Sequence, residues 1–324
     1  MSAADPIYVL TPADDRYAIP LAVTVRSLLD RLETDRSVHL TIIDGGILDA
    51  TKEKLVKSWC TSAGWLRSSM EWRTPDYGDV ALIRVWGRVP KLTYARINLA
   101  AYLPGTSRAI VLDSDVLVRT GIGRLWDTPL EGAVAAAAVD PFIPMVSSRD
   151  GLAGHVELGL PPEAPYLNAG VMLVDLELWR ERNVGPRALA FVNQNWQAMR
   201  WYDQDALNAV LAGQWKLLDA RWQVQPRLAS LLLTAEAAFE DAWIVHFSGR
   251  LKPWAYRGNS AADREFFEVL DRTAWRGWRT PMTARSVLTG FYEQRLRRLL
   301  YPCEVRVLGL LERLRRLREA NKDE

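Results

Sequence analysis

The 324-residue chain has little cysteine, little histidine and no long hydrophobic run, and each shortage excludes something. Its two cysteines, Cys60 and Cys303, cannot staple a fold of this length and do not have metal-ligand spacing. Their scarcity agrees with a reducing compartment. The longest uninterrupted aliphatic run, Ala133 to Val139, falls far short of the roughly 18 residues that span a bilayer. Met1 to Tyr17 has no basic stretch leading into an apolar one, and Asp5, Asp14 and Asp15 interrupt it, so no signal peptide is expected. Charge of one sign is also missing. Lys+Arg 41 against Asp+Glu 39 leaves +2, too balanced for a nucleic-acid partner. Internal repeats, Gly/Ser linkers and low-complexity segments are absent. A cytoplasmic protein follows, either soluble or peripheral on the membrane's cytoplasmic face.

What is present is core material. Hydrophobic residues make up 49% and charged residues 25%, close to the usual globular balance. At roughly 150 residues per domain the length allows one large or two modest domains. The pattern favours one, residues 1–284, followed by a helical tail, residues 285–324. That tail holds ten basic and six acidic residues, so any basic surface for a partner lies there.

Strands and helices alternate. Ile7 to Leu10 reads as a buried strand ended by Thr11-Pro12, and Ile19 to Leu32 as a helix. Val38 to Ile43 and Ser69 to Trp72 read as strands on either side of a helix from Thr51 to Trp59. Further on, Leu92 to Tyr102 is predicted helical, and Ala109 to Leu112 is a strand delivering Asp113-Ser114-Asp115. Ala133 to Val139, Ala169 to Val174 and Trp243 to Phe247 are later strands, with a helix from Gln204 to Leu211. The alternation predicts an α/β fold with a mainly parallel central sheet. In such sheets ligands bind beyond the carboxyl ends of the strands, here after Leu10 and after Leu112.

Several residues at those ends could carry chemistry. Asp113 and Asp115 form a hard oxygen pair suited to Mg²⁺ or Mn²⁺ on a phosphate. A turn of solvated aspartates satisfies the same spacing. His246 heads His246-Phe247-Ser248-Gly249-Arg250-Leu251-Lys252-Pro253-Trp254. Its imidazole could complete a metal site, Gly249 lets a backbone N–H approach an oxyanion, and Lys252 is a point charge for phosphate. A core histidine in a basic turn is the plainer alternative. Asn168 opens a strand, and Asp203-Gln204-Asp205 opens a helix, where acidic residues also favour the dipole for structural reasons alone. Tyr94 and Arg96 do not share a helical face, so one can reach a ligand while the other packs.

Taken in order, these segments resemble glycosyltransferase family 8, the retaining transferases that include bacterial lipopolysaccharide galactosyl- and glucosyltransferases. The resemblance runs through Ala13-Asp14-Asp15-Arg16-Tyr17, Thr93-Tyr94-Ala95-Arg96, Val111 to Val118 and Leu125-Trp126-Asp127. Tyr166 to Val171, Asp203 to Asn208 and the H-x-x-G-x-x-K-P-W run from His246 complete it. It implies a GT-A-like fold and a metal-dependent transfer from a UDP-sugar. Asp113, Asp115 and His246 match ligands of Mn²⁺, with Mg²⁺ as the alternative ion. Asp14 matches a nucleotide contact, Arg96 a residue against the donor, and Gly249 and Lys252 the diphosphate clamp. Asp140, Asn168, Asp203 and Gln204 match positions around the transferred sugar, with Gln204 near the anomeric carbon and Asp203 the nearby carboxylate. Arg16 stands where the family usually has Asn, which removes one uridine or ribose contact from the match.

The acceptor is expected to be a saccharide or lipid-linked glycan. A self-glycosylating, glycogenin-like protein and a silent sugar-nucleotide or membrane-surface module are the competing readings. In the tail, Leu288, Phe291 and Tyr292 precede Pro302, and Val307 to Leu317 form a second apolar stripe among arginines. This pattern suits an anionic membrane surface, and equally packing on the catalytic domain or on a second subunit.

Overall fold

The computed structural model describes residues 5–77, 91–226, 239–249, 252–256 and 258–292. In chain order the strands are β1 (Ile7–Ala13), β2 (Val38–Asp44), β3 (Ser69–Arg73), β4 (Arg108–Leu112) and β5 (Val116–Val118). They continue with β6 (Ala135–Val139), β7 (Leu167–Asp175), β8 (Trp215–Leu217) and β9 (Ile244–His246). Seven of them form one sheet in the order β3-β2-β1-β4-β7-β6-β8. The pairings of β1 with β2 and β4, of β2 with β3 and of β6 with β8 are parallel. Only β7 is reversed, lying antiparallel to both β4 and β6. The expected mainly parallel α/β sheet is therefore present, with one strand turned round.

That reversal matters for the site. The first residues of β7 lie at the edge where β1 and β4 end, so Asn168, inside the strand rather than before it, faces the loop carrying Asp113. The neighbours of β1 run outward in opposite senses of chain order, which is the switch point where open α/β sheets place ligands. β1 itself extends three residues beyond Leu10, through Thr11-Pro12-Ala13, and the loop after it begins at Asp14.

Helices cover both faces: α1 (Ala18–Asp30), α2 (Asp49–Trp59), α3 (Leu99–Tyr102), α4 (Gly123–Trp126), α5 (Leu176–Glu181), α6 (Val184–Asn195), α7 (Asp203–Leu211), α8 (Ala261–Leu270) and α9 (Ala284–Phe291). Alternation along β1 divides the core. Ile7 and Val9 pack with Leu21, Val25 and Leu28 of α1 and with Phe266 of α8. Leu10 packs on the other face with Ile97, Trp179 and Leu207.

One expected helix is different. Leu92 to Tyr102 is a 3₁₀ stretch, Lys91–Asn98, followed by the single α turn of α3. Leu92, Tyr94, Ala95, Arg96 and Ile97 are all buried, so this segment is wedged into the core rather than laid on it by one face. The late strand also differs. β9 is shorter than Trp243 to Phe247 and pairs with β5 in a separate two-stranded sheet.

Two hydroxyls of α1 hold that small sheet in place. Thr24 Oγ1 donates to Val116 O at 2.7 Å and accepts from Val116 N at 3.1 Å. Ser27 Oγ accepts from Val118 N at 3.0 Å. Buried hydroxyls in a helix are tolerated when they satisfy a strand edge in this way.

Of the tail, α9 and Tyr292 are described. Val287, Leu288, Phe291 and Tyr292 are exposed there. Pro302 and the Val307 to Leu317 stripe lie outside the described residues. Among the described residues no helix is long and apolar enough to cross a membrane.

Candidate active site

A cleft of about 190 Å³ opens beyond the ends of β1 and β4, at the sheet edge where α/β folds place ligands. Asp14, Tyr17, Thr93, Arg96, Asp113 and Asp115 are among its walls. Tyr94 instead packs its ring edge-on against Tyr202, so of the two helix-stretch residues Arg96 reaches the cleft.

The antiparallel register places Val116 opposite His246, immediately after the Asp113-Ser114-Asp115 turn. Phe247 N donates to Asp115 O at 3.0 Å and closes the arrangement. His246 Nε2 therefore lies 3.1 Å from Asp115 Oδ1 and 3.4 Å from Asp113 Oδ2. The three donor atoms all lie within 4.8 Å of one another. Adjacent donors on a hard octahedral ion with bonds near 2.1 Å sit about 3 Å apart, so this set fits one divalent cation.

Buried charge surrounds the triad and is balanced residue by residue. Arg96, 8% exposed, reaches Asp113 Oδ1 with its Nη2 at 2.6 Å, donates from Nη1 to Ala169 O at 2.9 Å, and approaches Asp203 Oδ2 at 2.9 Å. That last contact is ionic but not aligned as a hydrogen bond, which leaves the Asp203 Oδ2 unpaired in directional terms. Burial pushes Asp203 up to about 6, with Arg96 opposing and Asp113 reinforcing the shift. Burial also works against ionisation of Asp115, but the Lys252 ammonium and the contact with His246 outweigh it and hold that carboxyl well below the usual range. Lys252 Nζ bonds to Asp115 Oδ2 and donates to Phe247 O at 2.9 Å. Its ammonium is held above the ordinary lysine value because Asp115 overcomes the cost of burial.

A second group lies across the start of β7. Asp140 Oδ2 accepts from Asn168 Nδ2 at 2.7 Å and from Gln204 Nε2 at 3.1 Å. Gln204 Oε1 accepts from Ala169 N at 3.1 Å. The segment entering α7 is strained, with Tyr202 at φ 54°. It is anchored by Asp205, which accepts from Arg200 N, Trp201 N and the Tyr166 hydroxyl. Asp205 is thus a structural anchor, while Asp203 and Gln204 face the site.

The family model of glycosyl transferase family 8 matches residues 9–258. The chain belongs to that family. It is 29% identical over 282 residues to General stress protein A of Bacillus subtilis, covering 83% of this chain and 94% of that one. With the lipopolysaccharide 1,2-glucosyltransferase of Escherichia coli it shares 26% identity, over 67% of this chain and 63% of that one. A crystal structure of the galactosyltransferase LgtC with donor and acceptor sugar analogs superposes with a TM-score of 0.69 at 24% identity. That likeness covers 86% of this chain and 98% of LgtC, and it places the fold among the GT-A glycosyltransferases.

In this glycosyltransferase Arg16 is paired with Asp14. Its Nε and Nη2 lie 3.0 and 2.6 Å from Asp14 Oδ2 at the solvent edge. Gly249 has φ 78°, a left-handed conformation that side chains rarely adopt. The structure thus gathers Asp113, Asp115, His246, Lys252, Arg96 and Asp203 at one point, and Asp140, Asn168 and Gln204 beside it, with Asp14 on the far wall.

Sequence reasoning passed over two members. A Cβ on Gly170 would lie 2.3 Å from His246 Cε1 and 2.6 Å from Nδ1, so this glycine makes room for the imidazole. The Asn168-Ala169-Gly170 run was its only signal. Gln223 touches both Asn168 and His246 from a 3₁₀ turn, and no motif marks it. Gly170→Ala should displace the His246 ring and weaken divalent-cation affinity at least about tenfold, as titrated by Mn²⁺ electron paramagnetic resonance with UDP present. Wild-type affinity in that variant would show that the ring position is not what the cation depends on.

Proposed function

We infer that the protein is a retaining hexosyltransferase that moves a sugar from a UDP-sugar to a hydroxyl of a saccharide or lipid-linked acceptor. The observation that carries this reading is the convergence of Asp113, Asp115 and His246 with Lys252 at the end of the Asp14 cleft. The lipopolysaccharide glucosyl- and galactosyltransferases among its relatives support the acceptor class. Mn²⁺, or Mg²⁺ in its place, held by Asp113, Asp115 and His246 would neutralise the diphosphate and make it a better leaving group.

The chain's own residues supply the rest. Lys252 is already a partly buried cation beside the predicted diphosphate position, and it can exchange its Asp115 contact for a phosphate oxygen. Gly249 offers its backbone N–H at the same loop. Asp140, Asn168 and Gln204 form a connected polar wall that can hold sugar hydroxyls in one orientation. Asp203 is 4% exposed and committed to Arg96, and the Gln204 amide is a poor nucleophile. Both facts favour attack by the acceptor on the face that UDP leaves, rather than a two-carboxylate displacement.

Wild-type protein should release UDP slowly from one member of a UDP-sugar panel, in a divalent-cation-dependent manner and without an acceptor. D113N, D115N and H246A should each abolish that release while melting cooperatively. Cation-independent release, or silence across all donors, would overturn the reading. Lys252→Ala should weaken UDP binding about ten- to a hundredfold, the scale of one charged hydrogen bond. Gln204→Ala should leave UDP affinity within about twofold and lower kcat. Isothermal titration and initial rates distinguish the two, and equal loss of UDP affinity would refute the division.

The tail is read as a peripheral membrane contact, supported by the exposed Val287, Leu288 and Phe291 at its start and by its basic composition. Protein truncated after Arg285 should keep UDP-sugar hydrolysis and lose co-sedimentation with anionic liposomes at low salt. Absence of co-sedimentation in the full chain would instead assign the tail to a domain or subunit contact.

A further inference from the structure

Gln223, at the end of the 3₁₀ turn Ala220–Gln223, is 3% exposed and does not line the cleft. Its Nε2 lies 2.8 Å from Asn168 Oδ1 and in contact with His246 Nδ1. The hydrogen-bond chain fixes the sense of this amide. Asn168 Nδ2 donates to Asp140 Oδ2, so Asn168 Oδ1 is the atom turned toward Gly170 N, at 2.9 Å, and toward Gln223. An oxygen can be faced there only by a donor, which assigns the NH₂ of Gln223 to that side. Its carbonyl oxygen is then buried with no hydrogen-bond partner among the described residues. A buried amide oxygen left unpaired is costly, and here it lies on the same rotor as a group touching a histidine.

A histidine that ligates a cation through Nε2 carries its hydrogen on Nδ1 and donates it to a carbonyl or carboxylate. The arrangement seen presents an NH₂ to that nitrogen, while the unpaired oxygen is one amide rotation away. We propose that Gln223 is a positioning residue whose amide serves His246 and Asn168 in turn, coupling cation loading to the sugar-holding residues. With its NH₂ on Asn168 it stiffens the Asp140–Asn168–Gln204 wall. With its oxygen on His246 Nδ1 it orients the imidazole toward the cation, at the expense of the Asn168 bond. The inference rests on the divalent-cation reading of the site.

Two variants separate the halves of this role. Q223E can accept from Nδ1–H and cannot donate to Asn168. It should hold Mn²⁺ at least as tightly as wild type, yet show a lower kcat for UDP-sugar hydrolysis at saturating Mn²⁺. Q223M, close in shape and apolar, should raise the Mn²⁺ dissociation constant about ten- to a hundredfold. Both are read by Mn²⁺ electron paramagnetic resonance with UDP present, alongside melting curves. If Q223M does not fold, Q223N, one methylene too short to reach both partners, takes its place with the same expected loss. A merely structural role would weaken Mn²⁺ binding in Q223E and Q223M alike, in step with melting temperature, and that result overturns the proposal. So does Mn²⁺ affinity within about twofold of wild type in Q223M. Failure of wild-type protein to bind Mn²⁺ at all would instead remove the cation reading itself, and this proposal with it.

Discussion

Buried negative charge is the constraint on which the site depends. Asp113, Asp115 and Asp203 converge at the carboxyl edge of the sheet, and Asp115 and Asp203 are almost fully enclosed. Carboxylates so placed must be paired or protonated. Arg96 takes one oxygen each of Asp113 and Asp203, and Lys252 and His246 take Asp115. The share is unequal. Asp115 has the Lys252 ammonium and the His246 imidazole against it and is held well below the usual carboxylate range, whereas Asp203 has one cation, less well aligned, and is shifted up to about 6. Asp115 is thereby kept as a charge beside Lys252, while Asp203 is committed to Arg96.

The backbone explains how such a cluster is held. The turn between β4 and β5 must bring Asp115 beside His246, and the pairing of β5 with β9 does so in a fixed register. Thr24 and Ser27 tie β5 to α1, so the cluster is indexed to the helix that follows the Asp14 loop. The reversed β7 brings Asn168 to the same edge and runs its backbone past the turn, where Asp113 N donates to Gly170 O at 2.8 Å. Gly170 is the point of closest approach, and the imidazole occupies the space a side chain would need.

Most elements were legible in the sequence because buried strands read as short apolar runs and α1 and α2 show helical spacing. The 91–102 segment was not, since it is buried on several sides and has no amphipathic stripe. Short pieces such as β5 and β8 carry too few residues for periodicity to register. At the site, motif order made Asp113, Asp115, His246, Lys252 and Gln204 visible together. Gln223 stayed hidden because its role comes from what it touches, and a single glutamine in a polar-apolar stretch has no local signature.

The sequence alone determined the residue types and their order: hard oxygens after β4, an imidazole and a lysine in one late segment, and an α/β alternation that puts loops at one edge. These follow from local apolar runs and from chemistry that resides in single side chains. Tertiary structure decided which of those side chains meet. It reversed β7, moved His246 into a separate two-stranded sheet, assigned Arg96 to two carboxylates and gave Gln223 two partners. Those outcomes depend on strand register and on the balance of buried charge, which are set by contacts between residues tens to more than a hundred positions apart.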